Sequence, residues 1–154
     1  MKTEGMETDE DMNIPIYPRA GDLVLLMDSL VDVIGRGSAG ILYNFGKQLA
    51  ERYHARMSIP KNLEPDAIFK NILSSMMFSD WFTKTEIDRS NGFVVTLHNV
   101  FELDADEENC NFIRGFLAGL SSSIYHTPYT CKESRNPEKV SVFTLTARNS
   151  SMNY

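Results

Sequence analysis

Residues Cys110-Asn-Phe-Ile-Arg-Gly-Phe-Leu-Ala-Gly-Leu-Ser-Ser-Ser-Ile-Tyr125 form the stretch that decides the fold. At 3.6 residues per turn, its large apolar side chains share one broad side of a helix. Gly115 and Gly119 run beside that side, four residues apart. Glycine inside a helix costs about 1 kcal/mol relative to alanine, so the pair indicates that something lies close to bare backbone. Tight packing against another element and contact with a ligand would each account for the glycines. The apolar residues of the stretch are Phe112, Ile113, Phe116, Leu117, Leu120 and Ile124.

Working outward, the residues on both sides of this helix change to the alternating period of strands. Phe82–Ile87 and Phe93–His98 are predicted as two strands, and Asn91-Gly92 between them is a strong hairpin signal. Tyr129–Glu133 and Lys139–Arg148 are predicted as a second hairpin, which turns at residues 134–138. Acidic residues at 104–108 precede the helix and suit its N-terminus.

Three further helices are predicted before the first hairpin. The first begins near Asp22, which can cap it, and ends at Gly35-Arg36-Gly37. Ser38 can cap a second helix that runs to about His54. A third begins at Glu64-Pro65-Asp66, with proline in its tolerated first-turn position. The order ααα-ββ-α-ββ predicts an α+β fold, in which an antiparallel sheet of about four strands has helices packed on one face.

Length and charge limit the classes of function. The chain has 154 residues and a formal net charge of −6 without a dense basic patch, so nucleic acid is not an expected partner. Its apolar runs are too short to cross a bilayer, and no secretory signal is visible. The two cysteines do not suggest a disulfide scaffold. We therefore expect a cytoplasmic protein with one domain at residues 15–148, between a flexible acidic tail at 1–14 and a frayed C-terminus at 149–154.

Catalytic motifs are not evident in the sequence. It contains no glycine-rich phosphate loop and no motif of kinases, hydrolases or dinucleotide-binding enzymes, and His54, His98 and His126 are isolated from one another. Catalysis is therefore not predicted from the residues themselves. An enzyme that depends on a bound cofactor remains a possibility, since the cofactor would then supply the chemistry.

Acidic and sulfur-containing residues form one group that is able to bind a metal. Thiolates and carboxylates together can hold zinc, which would join the start of the helix to the second hairpin. Buried free cysteines are equally ordinary in such segments. The group comprises Glu102, Cys110, Cys131 and Glu133.

The chain resembles the 4-vinyl-reductase domain family over about residues 22–148. The resemblance depends on Cys110 with Arg114–Leu120, on Ile41–Gly46 and on Val94–Glu102. This family includes archaeal stand-alone proteins and part of the sensor module of bacterial activators that detect aromatic compounds. The resemblance implies a fold shared with transport-complex (TRAPP) subunits, a homodimer, and an apolar pocket for a small organic molecule.

The resemblance also bears on zinc. Members with zinc use a glutamate, a cysteine at the start of the main helix, and two cysteines eight residues apart on the last hairpin. Glu102 and Cys110 match the first two positions, whereas the hairpin positions fall on Glu133 and Ser141. Cys131 lies two residues before the first of these. The resemblance therefore implies half of a zinc site, so that zinc is possible but a full site is not expected.

A small-molecule-binding domain with a sensory or carrier role is the function that we predict. The ligand, a small apolar or aromatic molecule, is expected between the 110–125 helix, the 38–54 helix and the Met76–Trp81 segment. The alternatives are an accessory or reductase role in reducing a tetrapyrrole vinyl group, and a dimeric interaction module without a ligand. The predicted ligand-binding residues are Tyr43, Phe45, Met76, Trp81, His98, Phe112, Gly115, Phe116 and Gly119.

Overall fold

The computed structural model describes residues 17–102, 110–136 and 138–148, with the backbone alone for residues 36, 135 and 136. The predicted flexible tail at 1–14, the acidic residues at 104–108 and the predicted frayed end at 149–154 lie outside this range.

Four α-helices are described. They are α1 (Ala20–Ile34), α2 (Ser38–Arg56), α3 (Pro65–Phe78) and α4 (Asn111–Tyr125). The predicted break between α1 and α2 is a 3₁₀ turn at Gly35–Gly37, where Gly35 has a φ of 73°. Glycine adopts this left-handed conformation without steric cost. Helix α1 begins two residues before Asp22, so the predicted cap lies inside the first turn instead.

Four strands form one antiparallel sheet. They are β1 (Lys84–Asp88), β2 (Phe93–His98), β3 (Tyr129–Asn136) and β4 (Val140–Ala147), and their spatial order is β1-β2-β4-β3. The two predicted hairpins are present, and they join through the pairing of β2 with β4. The predicted α+β class and the order ααα-ββ-α-ββ are confirmed.

One face of the sheet contributes to the core. Phe93, Val95 and Leu97 are buried at alternate positions of β2, and the register sets Val95 opposite Phe143 of β4. Helix α4 is buried along nearly its whole length. Among the described residues, no helix is both long enough and apolar enough to cross a membrane.

Small residues bring α2 and α4 into backbone contact. A Cβ atom placed on Gly115 would lie 2.7 Å from the carbonyl carbon of Tyr43, and one placed on Gly119 would lie 2.9 Å from the Cα atom of Lys47. Gly46 makes the reciprocal approach to α4, where an added Cβ atom would lie 2.9 Å from the nitrogen of Phe116. Close helix packing therefore accounts for the glycines.

The buried face of α2 differs from the one that its large side chains indicate. Leu42, Gly46 and Ala50 are its buried residues, at a spacing of four. Ile41 and Phe45, which the periodicity predicts to share an apolar face with Leu42, are exposed instead. The small side chains permit the closest approach to α4, so they turn the larger ones toward α1 and solvent.

Candidate ligand-binding site

An aromatic cluster forms where α2, α4 and the segment after α3 meet. The ring centroid of Trp81 lies 5.0 Å from that of Phe116 and 5.5 Å from that of Phe112, and all three side chains are fully buried. These distances are typical of aromatic rings in direct contact. The structure therefore brings together Trp81, Phe112 and Phe116, three of the predicted ligand-binding residues, and their rings pack against one another.

Tyr17 completes this cluster, although it is not among the predicted ligand-binding residues. Its ring centroid lies 4.7 Å from Tyr53 and 5.5 Å from Trp81. The segment before α1 is held in place because the indole N–H of Trp81 donates to the carbonyl of Pro18, with an N–O distance of 2.8 Å. In the sequence, the only signal for this role is that Tyr17 precedes Pro18, because the residue before a proline favours an extended conformation. An extended segment with an aromatic side chain is able to lie across a core.

The Tyr17 hydroxyl is buried without a hydrogen-bond partner among the described residues. Burial and the nearby Tyr53 raise the pKa of Tyr17, so the hydroxyl stays protonated at any physiological pH. A buried hydroxyl without a partner costs free energy, and it offers a hydrogen-bond donor to a polar group that reaches it.

Open space lies one layer further out, between α1 and α2. A groove of about 300 Å³ is lined by Leu26, Met27, Leu30, Ile41 and Phe45. Every one of these side chains is apolar. The inner wall connects to the aromatic cluster, since the ring of Phe45 lies 5.6 Å from that of Phe112. Phe45 is thus the one predicted ligand residue that lines the groove.

Tyr43, Met76 and His98 occupy other positions. Tyr43 lies beside β3, where its pKa is raised by burial, and the guanidinium of Arg114 lies 4.7 Å from its ring centroid. Met76 is fully buried in α3. His98 belongs to the opposite face of the sheet from Leu97, and its Nε2 atom lies 2.8 Å from the Glu86 carboxylate. Tyr43 and His98 therefore do not join Trp81 as polar groups of one site.

Two of the four predicted metal ligands instead serve the N-terminus of α4. The Glu102 carboxylate, which is fully buried, accepts hydrogen bonds from the backbone N–H groups of Phe112 (2.9 Å) and Ile113 (2.8 Å). Glu133 accepts the N–H of Cys110 at 2.8 Å. Because the first N–H groups of a helix lack partners within it, carboxylates at this end stabilise it.

Cys131, on β3, is a buried free cysteine. Burial raises the pKa of the Cys131 thiol, although the Arg114 guanidinium opposes the shift. No group of three or more histidine, cysteine, aspartate or glutamate side chains within the described ranges is placed to hold a metal ion. Ser141, at the other hairpin position, is buried in β4. The four predicted ligands are therefore not gathered into a metal site within the described residues, and zinc stays a prediction from the sequence and the resemblance.

Solved structures that are similar to this chain over most of its length include two whose descriptions bear on its fold. The phenol-responsive sensory domain of the transcription activator PoxR, in a crystal structure with phenol, matches with a TM-score of 0.62 and 12% identity, over 93% of this chain and 91% of that chain. A vinyl-4-reductase family protein from Methanocaldococcus jannaschii matches with a TM-score of 0.54 and 21% identity, over 84% of this chain and 79% of that chain. The chain has the fold of these domains. No protein-family model and no curated protein matches it.

Proposed function

We propose that this protein is a small-molecule-binding domain with a sensory or carrier role, and that its ligand is a neutral hydrophobic or aromatic molecule. The observation that carries the proposal is the groove between α1 and α2, which is about 300 Å³ in volume and lined by apolar side chains alone. Ligand pockets in proteins run from about 300 to 1,000 Å³ and are mostly apolar. A groove at the lower limit suits a molecule of about one ring.

The chemistry of the lining restricts the ligand. Leu26, Ile41 and Phe45 all expose apolar surface in the groove, and covering this surface would stabilise the complex. The side chains of the groove present no charge and no hydrogen-bonding group. The Tyr17 hydroxyl could act as a hydrogen-bond donor to a ligand, but Tyr17 belongs to the aromatic cluster and does not line the groove. A hydroxyl on the ligand should therefore contribute little to affinity in the groove.

The likeness in fold supports a sensory role. The PoxR domain is described as phenol-responsive and its crystal structure includes phenol, so this fold is able to hold a small aromatic molecule. At 12% identity the two chains share the fold, and the lining of the groove is what restricts the ligand of this chain. The apolar lining favours a toluene-like molecule over phenol.

Binding of toluene and phenol tests the proposal. We expect toluene to shift the backbone amide resonances of α1 and α2 in two-dimensional NMR spectra, and to bind at least as tightly as phenol. Ile41→Gln should weaken toluene binding by about fourfold to fifteenfold, because it removes apolar contact equivalent to about one or two methylene groups, each of which contributes about 0.8 kcal/mol. The matched control is Phe78→Gln, because Phe78 is an exposed apolar residue of α3 outside the groove. The proposal fails if toluene does not shift α1 and α2 resonances or if Ile41→Gln leaves its affinity unchanged.

A homodimer is a second proposal, supported by exposed apolar surface beyond the groove. Leu25 and Val33 of α1 are 67% and 84% exposed. Neither residue lines the groove. Apolar side chains exposed together on one helix are typical of an interaction surface, and a second copy of the chain is the partner that we propose for it.

A further inference from the structure

A second cleft lies between α3, the β1–β2 hairpin and the last residue of α4. Its volume is about 210 Å³, and it shares no lining residue with the groove between α1 and α2. Unlike that groove, it combines charged and aromatic side chains. Its charged and aromatic lining residues are Asp66, Phe69, Lys70, Arg89, Phe93 and Tyr125.

Arg89 is held at the cleft by aromatic rings. Its guanidinium carbon lies 4.0 Å from the ring centroid of Phe93 and 5.3 Å from that of Tyr125. Within the described ranges, Arg89 forms neither a hydrogen bond nor an ion pair. A guanidinium that stacks on a ring still has its N–H groups pointing outward in its own plane. Two of these N–H groups can donate side by side to the two oxygens of a carboxylate.

The charges around the cleft favour a monoanion. Lys70, one turn after Asp66 on α3, adds a second cation that has no partner among the described residues. Asp66 is engaged by Tyr125, whose hydroxyl donates to its Oδ1 atom at 2.5 Å. The charges of Lys70 and Arg89 together with that of the Asp66 carboxylate give the cleft a net charge of +1. A ligand with one negative charge neutralises the site, whereas a second negative charge would be repelled by Asp66.

The floor of the cleft is aromatic. Phe69 and Phe93 are both buried, and their ring centroids lie 5.1 Å apart with an angle of 66° between the ring planes. Tyr125 packs edge-on against Phe93 at 5.7 Å. Both rings line the cleft, and because the Arg89 guanidinium covers one face of Phe93, they offer a ligand's ring an apolar wall beside a cation. The volume, below the usual range of about 300–1,000 Å³, restricts the body of the ligand to about one ring.

We propose that this cleft is a binding site for a small aromatic monocarboxylate, whose carboxylate pairs with Arg89 and Lys70 while its ring lies against Phe69 and Phe93. The site is separate from the groove of the proposed function. It would allow the protein to respond to an aromatic acid as well as to a neutral hydrophobic molecule.

Titration of the full chain with benzoate tests this inference, and benzamide serves as the uncharged isostere. We expect benzoate to shift the amide resonances of residues 66–70 and 87–93, and to bind at least about threefold more tightly than benzamide, because an ion pair with the exposed Arg89 and Lys70 is lost in the amide. Acetate, which lacks the ring, should bind more weakly than benzoate. Toluene should shift the α1 and α2 resonances instead, so the two sites are distinguished in one set of spectra.

Charge-removing variants identify the residues responsible. Arg89→Gln should lower benzoate affinity about threefold or more, and Lys70→Gln should lower it by a smaller factor. The matched control is Arg52→Gln, an exposed arginine of α2 outside the cleft, which should leave the affinity unchanged. The inference is overturned if benzamide binds as tightly as benzoate, if benzoate shifts the α1 and α2 resonances alone, or if neither Arg89→Gln nor Lys70→Gln weakens binding while the spectra show a folded protein.

Discussion

Gly115 lies directly against the carbonyl group of Tyr43, so α4 and α2 touch backbone to backbone at this point. Gly119 makes the same approach to Lys47 one turn later. Backbone atoms cannot rotate away as a side chain does, so any side chain at either position must separate the two helices. The glycine pair that dominates the sequence of α4 thus has a structural cause, which is independent of a ligand.

Replacing Gly115 with alanine should destabilise the fold by about 2 kcal/mol or more. Forcing a methyl group into a filled core costs about 1–3 kcal/mol, and a rigid backbone neighbour sets the cost at the upper end. The gain of about 1 kcal/mol in helix propensity offsets only part of it. Urea denaturation followed by circular dichroism measures the free energy of unfolding.

Gly40→Ala is the matched control for this substitution. Gly40 lies in α2, and a Cβ atom there would have nothing within 4 Å. We expect this variant to be more stable than the parent by up to about 1 kcal/mol, from helix propensity alone. If Gly115→Ala and Gly40→Ala change the stability equally, then the close approach of α2 and α4 is wrong.

Glu102→Gln should destabilise the protein by about 1–3 kcal/mol. Both carboxylate oxygens of Glu102 accept backbone N–H groups of α4, and an amide replaces one of these acceptors with a donor that faces an N–H group. Glu64→Gln is the control, because Glu64 precedes α3 and makes no capping hydrogen bond with its side chain. Surface substitutions of that kind stay within about 0.5 kcal/mol. Equal unfolding free energies for the two variants in urea would show that Glu102 does not support the helix.

The order of elements could be predicted because local signals agree with the final fold. Asn91-Gly92 marks the first hairpin, and the Phe93–His98 strand has the predicted bounds. The change from helical to alternating period before β1 separates the helical part from the sheet. The spatial order of the strands could not be predicted, because the pairing of β2 with β4 joins residues far apart in the chain.

The positions of the candidate sites could be predicted only in part. Trp81, Phe112 and Phe116 meet as expected because each lies on an apolar face that must be buried. The groove depends on Ile41 and Phe45 facing away from α4, and that orientation follows from the contact of Gly46 with α4. Tyr17 was missed because a short extended segment has no periodicity that would reveal its buried side.

The surface of α1 should control the oligomeric state. We expect the parent to be a dimer by light scattering after gel filtration, and the double variant Leu25→Lys with Val33→Lys to be a monomer, since burying two lysines in an apolar interface is costly. Phe78→Lys, at an 83% exposed position of α3, should remain dimeric. Because neither Leu25 nor Val33 lines the groove, the monomeric variant should still bind toluene. A parent that is monomeric at high concentration would exclude this surface as a self-association site.

His54 should make the fold less stable in mild acid. Burial is the larger cause that lowers the pKa of His54, and the charge of the nearby His126 lowers this pKa further. The unfolded chain then binds a proton near pH 6.5 that the folded protein binds only at lower pH, so stability decreases as the pH falls below about 6.5. We expect the decrease in melting temperature between about pH 7 and pH 5 to be smaller in His54→Gln than in the parent.

His126→Asn, in which asparagine tolerates the left-handed φ of 57°, removes only the second cause and should reduce the decrease less. If His126→Asn reduces it as much as His54→Gln does, then charge repulsion rather than burial governs the titration of His54.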